Sequence, residues 1–225
     1  MSELWRNLVP LILASAIVPT PLVVTILLLR SSAATAAAWL AGMTAVRLLQ
    51  GAVFGLIFSG ASSSATETPA GRAAVVSGVL LVLSVALFVT AARELLGEDD
   101  PDAPPPRWMA MIASVAAGKA FFLGAGYVAL SAKLWVFTLG AVAALEEAQP
   151  GRAAAVATYL AFAVLAVAPG LIAVAFAVVG PRRAGRRLEQ AADWLRRNNR
   201  VMVVAVSLVF GTWFLLKALR GFGVI

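Results

Sequence analysis

Long apolar runs separated by short polar segments dominate the chain. Windows of about 20 apolar residues are typical of transmembrane helices, and such windows cover residues 8–29, 34–59, 73–96, 118–145, 153–179 and 201–219. The stretch 107–145 is too long for one straight helix, because a bilayer core of about 30 Å needs only about 20 residues. We therefore expect a short interfacial helix at 107–117 before the fourth span. The pattern predicts an all-α polytopic membrane protein with six transmembrane helices.

The polar segments divide the six spans into two groups of three. The acidic, proline-rich segment GEDDPDAPPP at 97–106 predicts a cytoplasmic linker between a first three-helix repeat, 1–96, and a second, 107–225, that includes the interfacial helices. A polar loop is expected at 59–71 and a short turn at 146–151. Because each group holds an odd number of spans, the two groups have opposite topology, as inverted repeats do.

The first span of each group, helix 1 and helix 4 of the six, is interrupted near its middle. Span one carries Pro19, Thr20 and Pro21, and span four carries Ser131 and Lys133. A proline removes a backbone N–H and costs about 3 kcal/mol in a helix interior. Backbone freed in this way is tolerated in a membrane where it lines a cavity. Broken helices at matching positions indicate a substrate site near the midplane, whereas a simple packing kink is the alternative for the prolines.

The composition supports a membrane protein and removes most catalytic chemistry. The chain is 61% hydrophobic and 13% charged, whereas about a quarter of the residues of a soluble domain are charged. Cysteine and histidine are both absent from the sequence, which removes disulfides, thiolates and the usual zinc, haem and triad ligands. We expect no enzymatic activity, no metal, no cofactor and no nucleic-acid partner.

Arg47 lies inside predicted span two and Lys133 inside span four, and Lys119 lies near the start of span four. A cation at mid-bilayer costs about 2.5–3.5 kcal/mol on insertion scales and usually faces a partner or a cavity. All eleven acidic residues lie in tails, loops or helix ends, so we expect Arg47 and Lys133 to lack carboxylate partners and to line a cavity that prefers an anion. Lys119, near the start of span four, is expected to reach the interface.

The segment 181–200, PRRAGRRLEQAADWLRRNNR, carries seven arginines. Leu188, Ala191, Ala192 and Leu195 share one face of a helix there, which predicts an interfacial amphipathic helix. Its candidates for contact with lipid headgroups are Arg186, Arg187, Trp194 and Arg197. A plain positive anchor without a ligand is the alternative reading.

The loop charges predict the orientation. One side of the six-span topology carries ten arginines, at 30, 93, 107 and in 181–200, against five Arg and Lys on the other. The positive-inside rule places the ten in the cytoplasm and both termini outside. The first apolar run is longer than the 7–15 residues of a signal-peptide core, so we expect it to be retained as a span.

Four sequence segments in order resemble a known family. They are ASAIVPTPLVVTILLL, PPPRWMAMI, LSAKLW and LRRNNRVMVV. Together they resemble the peptidoglycolipid-addressing (GAP, or sulfolipid-addressing) family of actinobacteria, within the LysE superfamily, over nearly the whole chain. The family's first-span motif corresponds to Ser15 through Pro21. Its second-half Asn-Pro-Lys motif corresponds to residues 131–133, where only Lys133 matches.

The resemblance implies a transporter that exports or translocates a cell-envelope lipid or glycolipid across the plasma membrane. Its expected partners are membrane lipids and an anionic lipid substrate, with a homodimer or an envelope-lipid complex as further possibilities. Two alternatives stay open: an exporter of small solutes such as amino acids, and an accessory scaffold that does not itself transport.

Overall fold

The computed structural model describes residues 2–65, 69–97 and 115–224, and over these ranges the chain is helical. The helices are α1 (Ser2–Ile17), α2 (Pro19–Leu29), α3 (Ala33–Ala65), α4 (Pro69–Leu96), α5 (Ala117–Leu130), α6 (Ala132–Ala148), α7 (Arg152–Leu165), α8 (Ala168–Val179), α9 (Pro181–Arg197) and α10 (Asn199–Gly221). The predicted all-α class is confirmed.

Up to six spans result from these helices. Within the described ranges, α3, α4 and α10 are each long and apolar enough to cross a membrane alone. Three bent pairs add up to three more if each pair crosses the membrane as one broken span: α1–α2 is bent by 50°, α5–α6 by 71° and α7–α8 by 55°. The predicted interfacial helix at 107–117 and the linker at 97–106 lie almost entirely outside the described residues.

The loop predicted at 59–71 is wrong in its extent. Helix α3 continues to Ala65 and α4 already begins at Pro69. The segment is rich in alanine and serine, and alanine is the strongest helix former. The helices therefore extend beyond the apolar windows that marked them in the sequence. The turn predicted at 146–151 is confirmed only at 149–151, where Gln149 and Gly151 have positive φ, because α6 continues to Ala148.

Span one breaks at a single residue, Val18, between α1 and α2. Pro19 and Pro21 occupy the first and third positions of α2, where a helix has no intrahelical partner for its N–H groups in any case. The proline ring of Pro19 would clash with the carbonyl of the preceding turn, so α1 ends at Ile17. The prolines therefore start a helix and do not lie in an unwound segment, which corrects the expectation of an open stretch at 19–21.

Span five also breaks, which the sequence reading missed by predicting one helix over 153–179. Helix α7 ends at Leu165, and α8 begins two residues later with Pro169 in its first turn. As at break one, a proline is tolerated in the first turn of a helix and disrupts the interior of a helix. We call the breaks at Val18, Ser131 and Ala166–Val167 breaks one, two and three.

Glycines bring span two against the first half of span four. A Cβ added to Gly42 would lie 2.0 Å from the carbonyl oxygen of Phe121, and one added to Gly124 would lie 2.1 Å from that of Trp39. The two backbones are therefore in direct contact, as small residues permit in membranes. Helices α4 and α10 pack against each other, and the buried Ser84 hydroxyl donates to the Gly211 carbonyl at 2.8 Å. This packing surrounds the three breaks with helices.

Candidate functional site

Arg47 lies near the middle of the apolar part of α3, Ala33–Ile57. Its side chain is only 1% exposed. None of its three guanidinium nitrogens has a hydrogen-bond partner among the described residues, and its nearest aromatic ring, Phe162, has its centroid 6.0 Å from the guanidinium carbon. Charged side chains inside membranes are almost always paired or face a water-filled cavity, so the unpaired state of Arg47 needs an explanation.

Arg47 lines a cavity between breaks one and three. Val18 and Pro21 contribute from break one, and Val167 and Gly170 contribute from break three. The volume is about 20 Å³, which is room for about one water molecule. We call this space the Arg47 cavity. The sequence analysis predicted a common site for Arg47 and break one, and it gave no role to break three.

The charges and helix ends that line the Arg47 cavity are all positive. The first turns of α2 and α8 both line it, and a helix N-terminus carries a partial positive charge. The guanidinium adds a full positive charge. Ser15, whose buried hydroxyl has no partner among the described residues, also lines the cavity. These groups together favour a negatively charged occupant.

The backbone that carries Arg47 is held rigidly. The Tyr159 hydroxyl donates to the Arg47 carbonyl oxygen at 2.7 Å. A Cβ on Gly51 would lie 2.1 Å from the Tyr159 ring, so the glycine is required for this contact. One turn along the same face, Gln50 is buried with both amide atoms unpaired among the described residues. Spans two and five therefore hold Arg47 in place.

Tyr127 lies where breaks one and two approach each other. The Tyr127 hydroxyl lies within hydrogen-bonding reach of the side chains of Thr20 and Ser131. The indole of Trp135 donates to the carbonyl of Ala129 at 2.8 Å, which satisfies a carbonyl in the last turn of α5. The sequence reading missed Tyr127 because a single tyrosine in an apolar run carries no periodic signal.

Lys133 has a carboxylate partner, which corrects the prediction that it would lack one. Its Nζ lies 3.9 Å from Glu94 Oε2, and the Lys133 side chain is 36% exposed. Asn199 donates to the other Glu94 oxygen at 3.3 Å. Glu94 lies in the last turn of α4, and the fold brings that turn beside the start of α6. Lys133 therefore lies on the other side of break one from Arg47, in a small pocket shared with Leu87 and Phe137.

An open apolar groove runs beside break two. Leu83 and Ala86 of α4 form one wall, and Leu130, Trp135 and Val136 form the other. Its volume is about 360 Å³, and the Leu130 side chain is 88% exposed. We call it the lateral groove. In a membrane its open side faces the hydrocarbon of the lipid, because both walls belong to spanning helices.

The predicted amphipathic helix exists as α9, but its apolar face is covered by protein. Ala192 and Leu195 pack against Val23 and Ile26 of α2, and Arg30 pairs with Glu189 at 3.0 Å. Ala191, expected on the same face, is exposed. The candidate headgroup residues Arg186, Arg187, Trp194 and Arg197 are exposed on α9, and Lys119 is exposed on α5.

Comparison with known proteins identifies one family. The model of the family SfLAP, described as "Sap, sulfolipid-1-addressing protein", matches residues 8–220. No curated protein is significantly similar to the chain, and neither is any solved structure. The match extends from within α1 to the last turn of α10 and includes all three breaks.

Proposed function

We propose that this chain, which belongs to the sulfolipid-1-addressing protein family, moves a polar lipid or glycolipid of the cell envelope across the plasma membrane. The family description names sulfolipid addressing, and the helical spans support a membrane protein that contacts lipid directly. The transport role and the lipid class are the parts that we propose.

The lateral groove is the observation that carries this proposal. A lipid needs an apolar path for its acyl chains, open to the bilayer, next to a polar place for its headgroup. The groove of about 360 Å³ offers such a path at break two, and Tyr127 links break two to break one. A small-solute exporter needs no such path open to the bilayer. The geometry therefore favours lipid over a small solute.

Matched breaks suggest how the movement occurs. Val18 has φ −55° and ψ 118°, and Ser131 has φ −85° and ψ 100°. Each break is one residue long and nearly extended, at corresponding positions of the two groups of three spans. This similarity supports the inverted-repeat architecture, in which two such spans rock about a central site and shift access from one leaflet to the other.

Blocking the lateral groove tests the proposal. The purified full chain is reconstituted in vesicles that contain a fluorescent lipid with a sulfated sugar headgroup, and a membrane-impermeant reductant reports the label in the outer leaflet. We expect wild-type vesicles to exchange label between leaflets faster than protein-free vesicles. Ala86→Trp, which fills the groove, should remove that exchange. Ala92→Trp, at an exposed position of the same helix, is the matched control and should retain it.

The alternatives give different results. With an accessory scaffold, the labelled lipid would exchange between leaflets as slowly as in protein-free vesicles. That result would overturn the proposal. A small-solute exporter would release trapped amino acids and leave the labelled lipid in place. Equal exchange by the Ala86→Trp and wild-type proteins would exclude the lateral groove as the path.

A further inference from the structure

The Arg47 cavity concentrates positive charge without a counter-charge. The guanidinium is 1% exposed and has no hydrogen-bond partner among the described residues. The first turns of two half-helices, each longer than two turns, line the same space. None of the described residues that line it carries a carboxylate. Burying a cation in this way is strongly unfavourable unless a ligand of opposite charge completes the site.

The available donors select the geometry of that ligand. A guanidinium presents five N–H donors in a planar fork that matches oxyanions. The Ser15 hydroxyl, which has no partner among the described residues, adds a donor, and the first turns of α2 and α8 reach the same cavity at Pro21 and Gly170 with their positive ends. One water molecule accepts about two hydrogen bonds and cannot satisfy these groups. A ligand with three or four acceptor oxygens can.

We infer that the Arg47 cavity is a binding site for a tetrahedral oxyanion of the sulfate-ester or phosphate class, built by Arg47 and the N-termini of α2 and α8. That the oxyanion is the headgroup of a translocated lipid rests on the proposed function. The site does not use Lys133, which is already paired with Glu94. The sequence analysis considered only the breaks in spans one and four. In this proposal break three contributes the N-terminus of α8 to the binding site.

The size of the cavity implies that the site opens to bind. A volume of about 20 Å³ admits about one water molecule, less than a sulfate group needs. Breaks one and three both border the cavity, so a small rotation of α2 or α8 about Val18 or Val167 enlarges it. The structure therefore represents the site closed, with the two half-helices as its movable walls.

Inorganic sulfate is the first probe. The purified full chain in nanodiscs of zwitterionic lipid is heated in sodium sulfate and in sodium gluconate at equal ionic strength, and the midpoint of thermal unfolding is measured. A ligand that binds only the folded state raises this midpoint. We expect sulfate to raise the unfolding midpoint of the wild type. It should also raise that of Lys119→Gln, the control variant, which loses an exposed cation. Arg47→Gln should lose the shift, with binding weaker by about tenfold or more.

Arg47→Lys is a second variant, which distinguishes loss of binding from misfolding of Arg47→Gln. It keeps the charge and loses the planar fork, so it should retain a smaller sulfate shift. If Arg47→Gln keeps the full shift while its own folding is intact, or if the wild type shows none, the site is wrong.

A second arm separates a headgroup from a free anion. Nanodiscs that contain a hexadecyl sulfate lipid should stabilise the wild type more than zwitterionic nanodiscs, and this gain should disappear in Arg47→Gln. A response to inorganic sulfate alone would overturn the headgroup assignment. Sulfate binding that depends on Arg47, in a chain that moves no labelled lipid, would leave the site standing and reject the proposed transport, so the two failures are distinguishable.

Discussion

Arg47 and Lys133 present the same signal in the sequence, a cation inside an apolar span, yet their surroundings in the fold differ. Arg47 is sealed between spans two and five, and its guanidinium is unpaired among the described residues. Lys133 is about a third exposed and pairs with Glu94. The fold therefore leaves one cation for a ligand and satisfies the other within the chain. A cation is a candidate for ligand binding when it is buried and has no partner within the protein, and the presence of a charge in the sequence does not decide this.

The strongest test of this contrast is the stability of Arg47→Met. Replacing buried charges with apolar residues of similar size is often stabilising, by about 1–4 kcal/mol. Without sulfate or anionic lipid, we therefore expect Arg47→Met to unfold at a higher temperature than the wild type, and to lose lipid exchange. Lys133→Met, measured in the same nanodiscs, should not gain stability. A marked loss of stability in Arg47→Met would show that Arg47 is structural.

Next in size is the effect of the prolines on break one. Pro19→Ala with Pro21→Ala restores two N–H groups, so α1 and α2 can join through Val18 and lose their 50° bend. The distance between spin labels at positions 9 and 30 should lengthen by about 3 Å, from the helix rise of 1.5 Å per residue. Pro10→Ala, within α1, is the control and should leave this distance unchanged. An unchanged distance in the double variant would mean that packing, and not proline, holds the bend.

A smaller effect is expected where breaks one and two meet. Tyr127→Phe removes the hydroxyl that reaches Thr20 and Ser131. Losing it should lower the free energy of unfolding by about 1 kcal/mol. A double-mutant cycle of Tyr127→Phe and Thr20→Val measures the coupling of Tyr127 to break one. Strict additivity would separate the two breaks energetically.

The smallest effect concerns the paired cation. A partly exposed ion pair contributes about 0–1 kcal/mol, so Lys133→Gln should change thermal stability little, and the sulfate shift should persist. The reversed pair, Lys133→Glu with Glu94→Lys, should behave like the wild type. If Lys133→Gln lost the sulfate-induced rise in the unfolding midpoint, the anion site would lie at break two and not at Arg47.

Much of the architecture follows from local chemistry and was accessible from the sequence. Hydropathy over about 20 residues located the spans, because a bilayer imposes a length on each helix. Pro19 and Pro21 indicated break one, since a proline acts on its own helix turn. The cation Arg47 was recognisable because a charged residue inside an apolar run is visible in the sequence itself.

The remaining features depend on contacts between segments that are distant in the chain. Glu94 reaches Lys133 only because α4 packs beside α6, and the apolar face of α9 packs on α2, whereas the sequence pattern predicted a helix at the lipid interface. The dipeptide Pro169-Gly170 hinted at break three, but its contribution to the Arg47 cavity arises from packing between spans one, two and five. Hydropathy and proline act within one helix, whereas partners and cavities are set by which helices meet.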